Sequence, residues 1–219
     1  NKIDLVIQNL SLKTNSKIVE IGSGWGQLSV SAAKLGHSID TTTISDQQFE
    51  YVNTLIQDNN LSEKITIIKE DYRNLSGQYD GVVSVEMIEA VGKEFLKEYF
   101  ETSFRLLKPE KYFSLQSIVI KDEYSEDYSK GCDWIQKHIF PGGYLPSPSE
   151  IKMIAEEVGF SVESVQSYGI HYAETLLKWR MNFMNNIDLV RRLGFNQEFI
   201  NKWLYYLIYC EAGFRSGHI

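Results

Sequence analysis

Lys17-Ile-Val-Glu20-Ile21, running into Gly22-Ser-Gly24-Trp-Gly26, is the stretch that decides the fold of this chain. A β-branched run closes on three alternate glycines, and an amphipathic segment, Gln27 to Leu35, opens directly after them. Glycines so placed let the backbone turn tightly and lie close to a ligand, as at the first strand-to-helix junction of a nucleotide-binding βαβ unit. Working outward, the alternation repeats. Ser38 to Ile44, Lys64 to Glu70, Gly81 to Val85 and Tyr112 to Ile120 read as further strands, and Gln47 to Asn59 and Lys93 to Leu107 as helices between them. The last of these sets Phe95, Tyr99, Phe100, Phe104 and Leu107 at helical spacing. The expected fold class is therefore α/β, a doubly wound, Rossmann-like parallel sheet with helices on both faces.

After Ile120 the pattern changes. Lys121 to Lys130 is charged and tyrosine-containing, and three of the four prolines fall between Pro141 and Pro148, which makes that segment a loop. A helix is expected from there to Val158, capped by Ser147 or Ser149, with Glu150 in its first turn and Gly159 after it. Two aromatic-rich helices are expected over Ala173 to Leu193 and Gln197 to Cys210. We read one domain over residues 1–219: a cofactor-binding core to about residue 120, then elements added over it as a helical lid.

With 219 residues, 43% of them apolar, the chain can bury a substantial core. A net charge of -7 argues against a broad basic surface for nucleic acid. Two cysteines, Cys132 and Cys210, are too few and too far apart for a disulfide framework or a zinc site, which points to a reducing compartment, the cytoplasm. No run of about 18 apolar residues and no signal-peptide pattern occurs, so membrane contact is expected to be peripheral.

Three polar clusters follow three successive strands. Glu20 ends the first, ahead of Gly22, Gly24, Trp25 and Gly26. The spacing is G-x-G-x-G rather than the G-x-G-x-x-G of a dinucleotide site, and an acidic residue suits the positive amino-acid end of S-adenosylmethionine where it would repel a pyrophosphate. Thr43, Ser45 and Gln48 follow the second strand, where such sites meet a ribose. Asp71, Tyr72 and Arg73 follow the third, offering a carboxylate for an adenine amino group and an aromatic face for its ring. Each cluster alone also suits a solvated turn; three at the carboxyl ends of neighbouring strands suit a ligand crevice.

With Ser84-Val-Glu86-Met-Ile-Glu89-Ala-Val-Gly92 the chain resembles the cyclopropane-fatty-acid-synthase family of methyltransferases, which includes the mycolic acid cyclopropane synthases. The likeness runs through Asp71-Tyr-Arg73, Leu107-Lys-Pro109, Ile139-Phe-Pro-Gly-Gly143, Leu145-Pro-Ser147, His171-Tyr172, Thr175-Leu176, Trp179 and Cys210-Glu-Ala-Gly-Phe-Arg215, nearly the whole chain. The glycine turn is shared by many methyltransferases; the Pro-Gly-Gly loop and the Glu-Ala-Gly-Phe-Arg stretch are far more specific. The resemblance implies that Gly22, Gly24 and Trp25 line the S-adenosylmethionine site, with Thr43, Ser45 and Gln48 at its ribose and Tyr72 near its adenine. It implies that Glu89 and Tyr172 hold a bicarbonate ion, with the backbone near Ile118 contributing, and that Cys210 lies near the active site. Gln116 stands where many members have histidine, which removes a titratable group from the anion site. Members also carry an N-terminal helical segment over the cofactor and a last strand after the Glu-Ala-Gly-Phe-Arg stretch, so both ends of this sequence are read as truncated.

The implied reaction is transfer of a methylene group to the cis double bond of an unsaturated phospholipid acyl chain. No metal is needed, because the sulfonium charge makes the methyl electrophilic. Attack leaves a carbocation, which Tyr168, Tyr172, Trp179, Phe183, Trp203, Tyr205 and Tyr206 could shield in a dry wall; ordinary helix packing is the alternative for this stripe. Ring closure then needs a base, for which bicarbonate beside Glu89 would serve. Without the resemblance, Glu89 is a helix N-terminal carboxylate and Cys210 a packing thiol. Rival readings are a related methyltransferase making a methyl-branched lipid or methylating a small amine, and a non-catalytic protein that binds cofactor or lipid. Lipid access is assigned to the Lys121 to Leu145 insertion, and a homodimer is carried as the assembly to test.

Overall fold

The computed structural model describes residues 2–219. Five strands, β1 (Lys17–Ile21), β2 (Ser38–Thr43), β3 (Ile65–Lys69), β4 (Tyr79–Val85) and β5 (Leu107–Gln116), form one sheet in the order β3-β2-β1-β4-β5. All pairs are parallel. The helices preceding and joining them are α1 (Lys2–Gln8), α2 (Gln27–Lys34), α3 (Asp46–Asp58) and α4 (Leu96–Leu106). Strand order reverses between β1 and β4, and the crevice at such a point, outside the carboxyl ends of the strands, is where doubly wound sheets bind ligands.

Alternation along the strands sorts the core into two faces. On one, Ile18, Ile39, Ile65 and Val83 pack with Leu28, Ala32 and Ala33 of α2, Val52 and Ile56 of α3, and Val6 and Ile7 of α1. On the other, the Tyr99 and Phe100 rings of α4 meet Phe113 of β5 at 6.1 and 6.2 Å, and Phe160 closes on Phe100 at 6.3 Å and on Phe104 at 5.1 Å. The doubly wound α/β sheet expected from the sequence is the fold observed.

The chain divides into two compact units, residues 1–117 with 153–161, and residues 118–152 with 162–219. The second holds α5 (Asp122–Lys130), α6 (Trp134–His138), α8 (Gly169–Asn185), α9 (Ile187–Arg192) and α10 (Gln197–Ser216), while α7 (Pro148–Val158) is shared. Its core is the α8–α10 pair, with Ala173, Leu176, Leu207 and Phe214 buried between them.

Several boundaries differ from the expectation. β5 runs from Leu107 to Gln116 rather than Tyr112 to Ile120. Its first pairing, Tyr79 with Leu107, is separated from the next, Gly81 with Tyr112, by an irregularity that takes in Lys108-Pro-Glu-Lys111, and those charged residues hid the start. Ile120 has left the sheet; its N–H donates to the Pro146 carbonyl. The expected helix Ala173 to Leu193 is two helices parted at Asn186, a residue type that competes with helical hydrogen bonds. The last helix continues past Cys210 to Ser216 and ends at Gly217 with φ 70°. Ser147 rather than Ser149 makes the capping bond of α7, accepting from the Glu150 N–H.

Candidate functional site

The glycine turn sits at the carboxyl end of β1. Gly22, Gly24 and Gly26 have φ of 90°, 48° and 80°, and the turn is tied down by Ser23 N–H donating to Thr42 O and Gly26 N–H to Ser23 O. A Cβ on Gly22 would lie 2.9 Å from Met87 Cγ, so the absence of a side chain lets the β4 loop close against the turn. Gly24 is different: nothing lies within 4 Å of an added Cβ. Beside it Trp25 is 59% exposed and stands edge-on to Tyr51 at 5.3 Å.

Glu20 lies beneath this turn, 3% exposed. Ser29 Oγ donates to its Oε2 at 2.5 Å and Thr41 Oγ1 at 2.7 Å. Burial pushes its carboxyl up to about 7, against the lowering effect of those two hydroxyls. Sequence reading missed Ser29 and Thr41, both fully buried polar residues.

The other strand ends are equally ordered. Thr43 Oγ1 donates to Gln48 Oε1 at 2.7 Å and accepts from the Ser45 N–H at 3.1 Å, while Ser45 Oγ caps α3 by accepting from the Gln48 N–H. The ribose-side trio is thus one hydrogen-bonded cluster at the N-terminus of α3. Asp71 turns to its neighbour: Oδ1 accepts from Arg73 N–H and Nε, both at 3.0 Å, and Oδ2 from Nη2 at 2.7 Å. The Arg73 guanidinium holds the Asp71 carboxyl below its ordinary value. Tyr72 is 9% exposed, edge-on to Tyr99 at 5.7 Å.

After β4, Glu86 takes φ 50°, a left-handed conformation that costs a non-glycine residue free energy. Its N–H donates to Gln116 O at 2.9 Å, Lys2 Nζ meets its Oε1 at 2.8 Å, and the Gln116 side-chain amide, once its O and N are exchanged to suit both neighbours, donates to Oε1 at 3.2 Å and accepts from Ser117 N–H at 3.3 Å. Glu89 follows in a 3-10 turn, Ile88–Ala90. Glu89 and Gln116 lie in the first unit. Ile118, Tyr172 and Cys210 lie in the second, where all three pack on the α8–α10 core, Tyr172 with its ring 5.2 Å from that of Phe214. Burial pushes the Cys210 thiol up to about 12, so it remains protonated at neutral pH, a poor nucleophile. Of the expected aromatic wall, Tyr172, Phe183, Trp203 and Tyr206 pack on the same core, whereas Trp179 and Tyr205 are 55% and 48% exposed.

Glycine turn, ribose-side trio and Tyr72 therefore gather at the carboxyl ends of β1, β2 and β3, with Glu86 and Glu89 after β4. Over residues 1–219 the sequence matches the family described as mycolic acid cyclopropane synthetase. The chain belongs to that family. UfaA1 of Mycobacterium tuberculosis, a tuberculostearic acid methyltransferase, is 38% identical over 219 residues, 100% of this chain and 51% of that protein. The cyclopropane-fatty-acyl-phospholipid synthase of Escherichia coli K12 is 33% identical over 220 residues, 100% of this chain and 55% of that protein. The chain spans about half the length of these relatives. Among solved structures, mycolic acid cyclopropane synthase CmaA1, complexed with SAH and CTAB, superposes with a TM-score of 0.91 at 27% identity, over 99% of this chain and 79% of that one.

Proposed function

We propose that this member of the cyclopropane synthetase family uses S-adenosylmethionine to alkylate the cis double bond of an unsaturated phospholipid acyl chain, and that the product is a cyclopropane. The observation that carries the cofactor reading is the turn at Gly22 to Gly26: a backbone open at Gly24, backed by Met87, and flanked by the Thr43, Ser45 and Gln48 cluster. These residues fit a nucleoside with a charged amino-acid tail. When bound, the cofactor supplies an electrophilic methyl group on a sulfonium.

The chain's own part is to orient, to keep water out and to manage one proton. Glu89, on the turn after β4, is assigned to the proton-accepting side of the reaction, with bicarbonate, carried over from the resemblance, as the immediate base. Two anions side by side repel, so Glu89 and bicarbonate would share a proton and titrate as a pair. Peripheral contact with a bilayer follows from the substrate; among the described residues no helix is long and apolar enough to cross a membrane.

A second reading, a methyl-branched lipid product, is favoured by two observations: the 38% identity to a tuberculostearic acid methyltransferase and Gln116, whose neutral amide is engaged with Glu86. The deciding experiment is mass spectrometry of cis-unsaturated phospholipid vesicles incubated with the full-length protein, bicarbonate and methyl-labelled S-adenosylmethionine. A gain of one methylene with loss of the alkene is expected; label in a product that keeps an alkene would move the assignment to the second reading. Glu89→Gln should abolish the product and keep cofactor affinity, and normal turnover in that variant would remove Glu89 from the chemistry.

A further inference from the structure

The turn between α9 and α10 is firmly built, yet it carries apolar side chains into water. Leu193 N–H donates to Leu189 O at 3.0 Å, Gly194 N–H to Arg191 O at 3.0 Å and Phe195 N–H to Val190 O at 3.4 Å. Asn196 Oδ1 then caps α10 by accepting from the Phe199 N–H at 2.9 Å. Arg191 spans the turn, its Nη1 on Asp188 Oδ1 and its Nη2 on Gln197 Oε1, both at 3.1 Å. Every residue from Arg191 to Glu198 is exposed. Leu189 and Leu193, four residues apart and so on one face, are 46% and 68% exposed, and Phe195 is 44% exposed. A lone exposed leucine needs no explanation, but three apolar side chains held in water by one ordered turn do.

Charge says what covers them. From Lys178 to Lys202 the chain has five basic residues against two acidic ones, Asp188 and Glu198, within a protein of net charge -7. Arg180 is taken up by Glu211, which leaves the excess on Lys178, Arg191, Arg192 and Lys202, the last three exposed around the turn. α5 is the opposite case: four of its nine residues are acidic and one is basic, so an anionic surface would repel it. The turn also leads inward. Phe195 stacks on Phe199 at 4.3 Å, Phe199 on Trp203 at 5.8 Å, and Trp203 meets Tyr206 at 5.1 Å; Trp203 and Tyr206 pack on the same core as Tyr172 and Cys210. Apolar tips beside cations suit the surface of an anionic bilayer, where the tips enter the acyl boundary and the cations stay with the phosphates.

We propose that the turn from Leu189 to Phe195, with Arg191, Arg192 and Lys202 around it, is the membrane-docking surface of this protein and that its partner is an anionic phospholipid bilayer. The inference rests on the reading of a bilayer lipid as substrate and names where that bilayer meets the chain. It places docking on α9 and α10 rather than on the Lys121 to Leu145 segment.

The test is flotation of the full-length protein with vesicles of mixed phosphatidylglycerol and phosphatidylcholine, and with vesicles of phosphatidylcholine alone. Binding should favour the anionic vesicles and weaken as salt is added. Leu193→Ser combined with Phe195→Ser should lower vesicle affinity about tenfold or more, and Arg192→Gln combined with Lys202→Gln about tenfold for the anionic vesicles alone. Melting temperature and affinity for S-adenosylmethionine should hold in both pairs. Hydrogen exchange of the wild type with anionic vesicles should show protection over residues 189–199, a readout that depends on no variant. No preference for the anionic vesicles, unaltered affinity in either pair, or protection confined to residues 121–145 would overturn the proposal. So would a changed sedimentation coefficient of the Leu193→Ser, Phe195→Ser protein without lipid, since the patch would then join two copies of the chain. Vesicle binding through the turn with no alkylated lipid would keep the docking surface and remove the reaction proposed above.

Discussion

Burial, more than any neighbour, sets the chemistry of Glu20. Burial pushes the carboxyl up from 4.5 to about 7 in spite of two hydroxyl donors, so the folded chain holds that proton more tightly than the unfolded chain does. Its contribution to stability is therefore complete below about pH 4.5 and is lost as pH rises to about 7. The loss amounts to roughly 3 kcal/mol across that window. Glu20→Gln keeps the size and the hydrogen-bonding capacity but cannot ionise, so its melting temperature should decline less than the wild type's over the same window; parallel calorimetric pH series check this, and superimposable slopes would show that Glu20 titrates normally. The acidic end of the first strand was legible in the sequence because of its place before the glycines. Its buried state was not, since Ser29 and Thr41 reach it from a helix and from a neighbouring strand.

At the scale of elements, the strand–turn–helix from Lys17 to Lys34 was legible to within a residue, because glycine spacing and β-branching are local signals. The same turn supplies a graded test. Gly22→Ala places a Cβ 2.9 Å from Met87 Cγ at φ 90°, whereas Gly24→Ala meets nothing within 4 Å at φ 48°. Gly22→Ala should lower stability by roughly 1–3 kcal/mol and weaken cofactor affinity with it. Gly24→Ala should cost less stability, about 1 kcal/mol for the left-handed conformation, yet weaken affinity at least as much, because its Cβ would occupy space left for the ligand. Denaturant titration and calorimetric binding measure both; a Gly24→Ala variant with full affinity would move the cofactor away from this turn. Helices of the second unit were less legible. Not one residue of α5 is buried, so it carries no apolar period to read. A signal for α6 was present and missed: Asp133 and Gln136 form a reciprocal capping box.

For the whole molecule, the sequence resolved the sheet and its order of elements but not the division of the chain, because residues 153–161 return to the first unit after 35 residues spent in the second, 118–152. Only tertiary contacts such as Phe160 on Phe100, Phe104 and Phe113 reveal that return. It follows that cofactor binding should be felt along discontinuous sequence. Ligand at a hundred times its dissociation constant stabilises whatever unfolds with the site by about 2.7 kcal/mol. Hydrogen exchange with and without S-adenosylmethionine should show protection first at Gly22 to Leu35, Thr43 to Phe49 and Asp71 to Leu75, the three strand ends where the cofactor residues gather. Residues 153–161 should follow wherever exchange proceeds by opening of the first unit as a body, because they share its core. Protection confined to α8 and α10, with the glycine turn unchanged, would place the ligand in the second unit and overturn the cofactor site; protection of the three strand ends alone, with 153–161 unmoved, would keep the site but show that the first unit opens locally rather than as one.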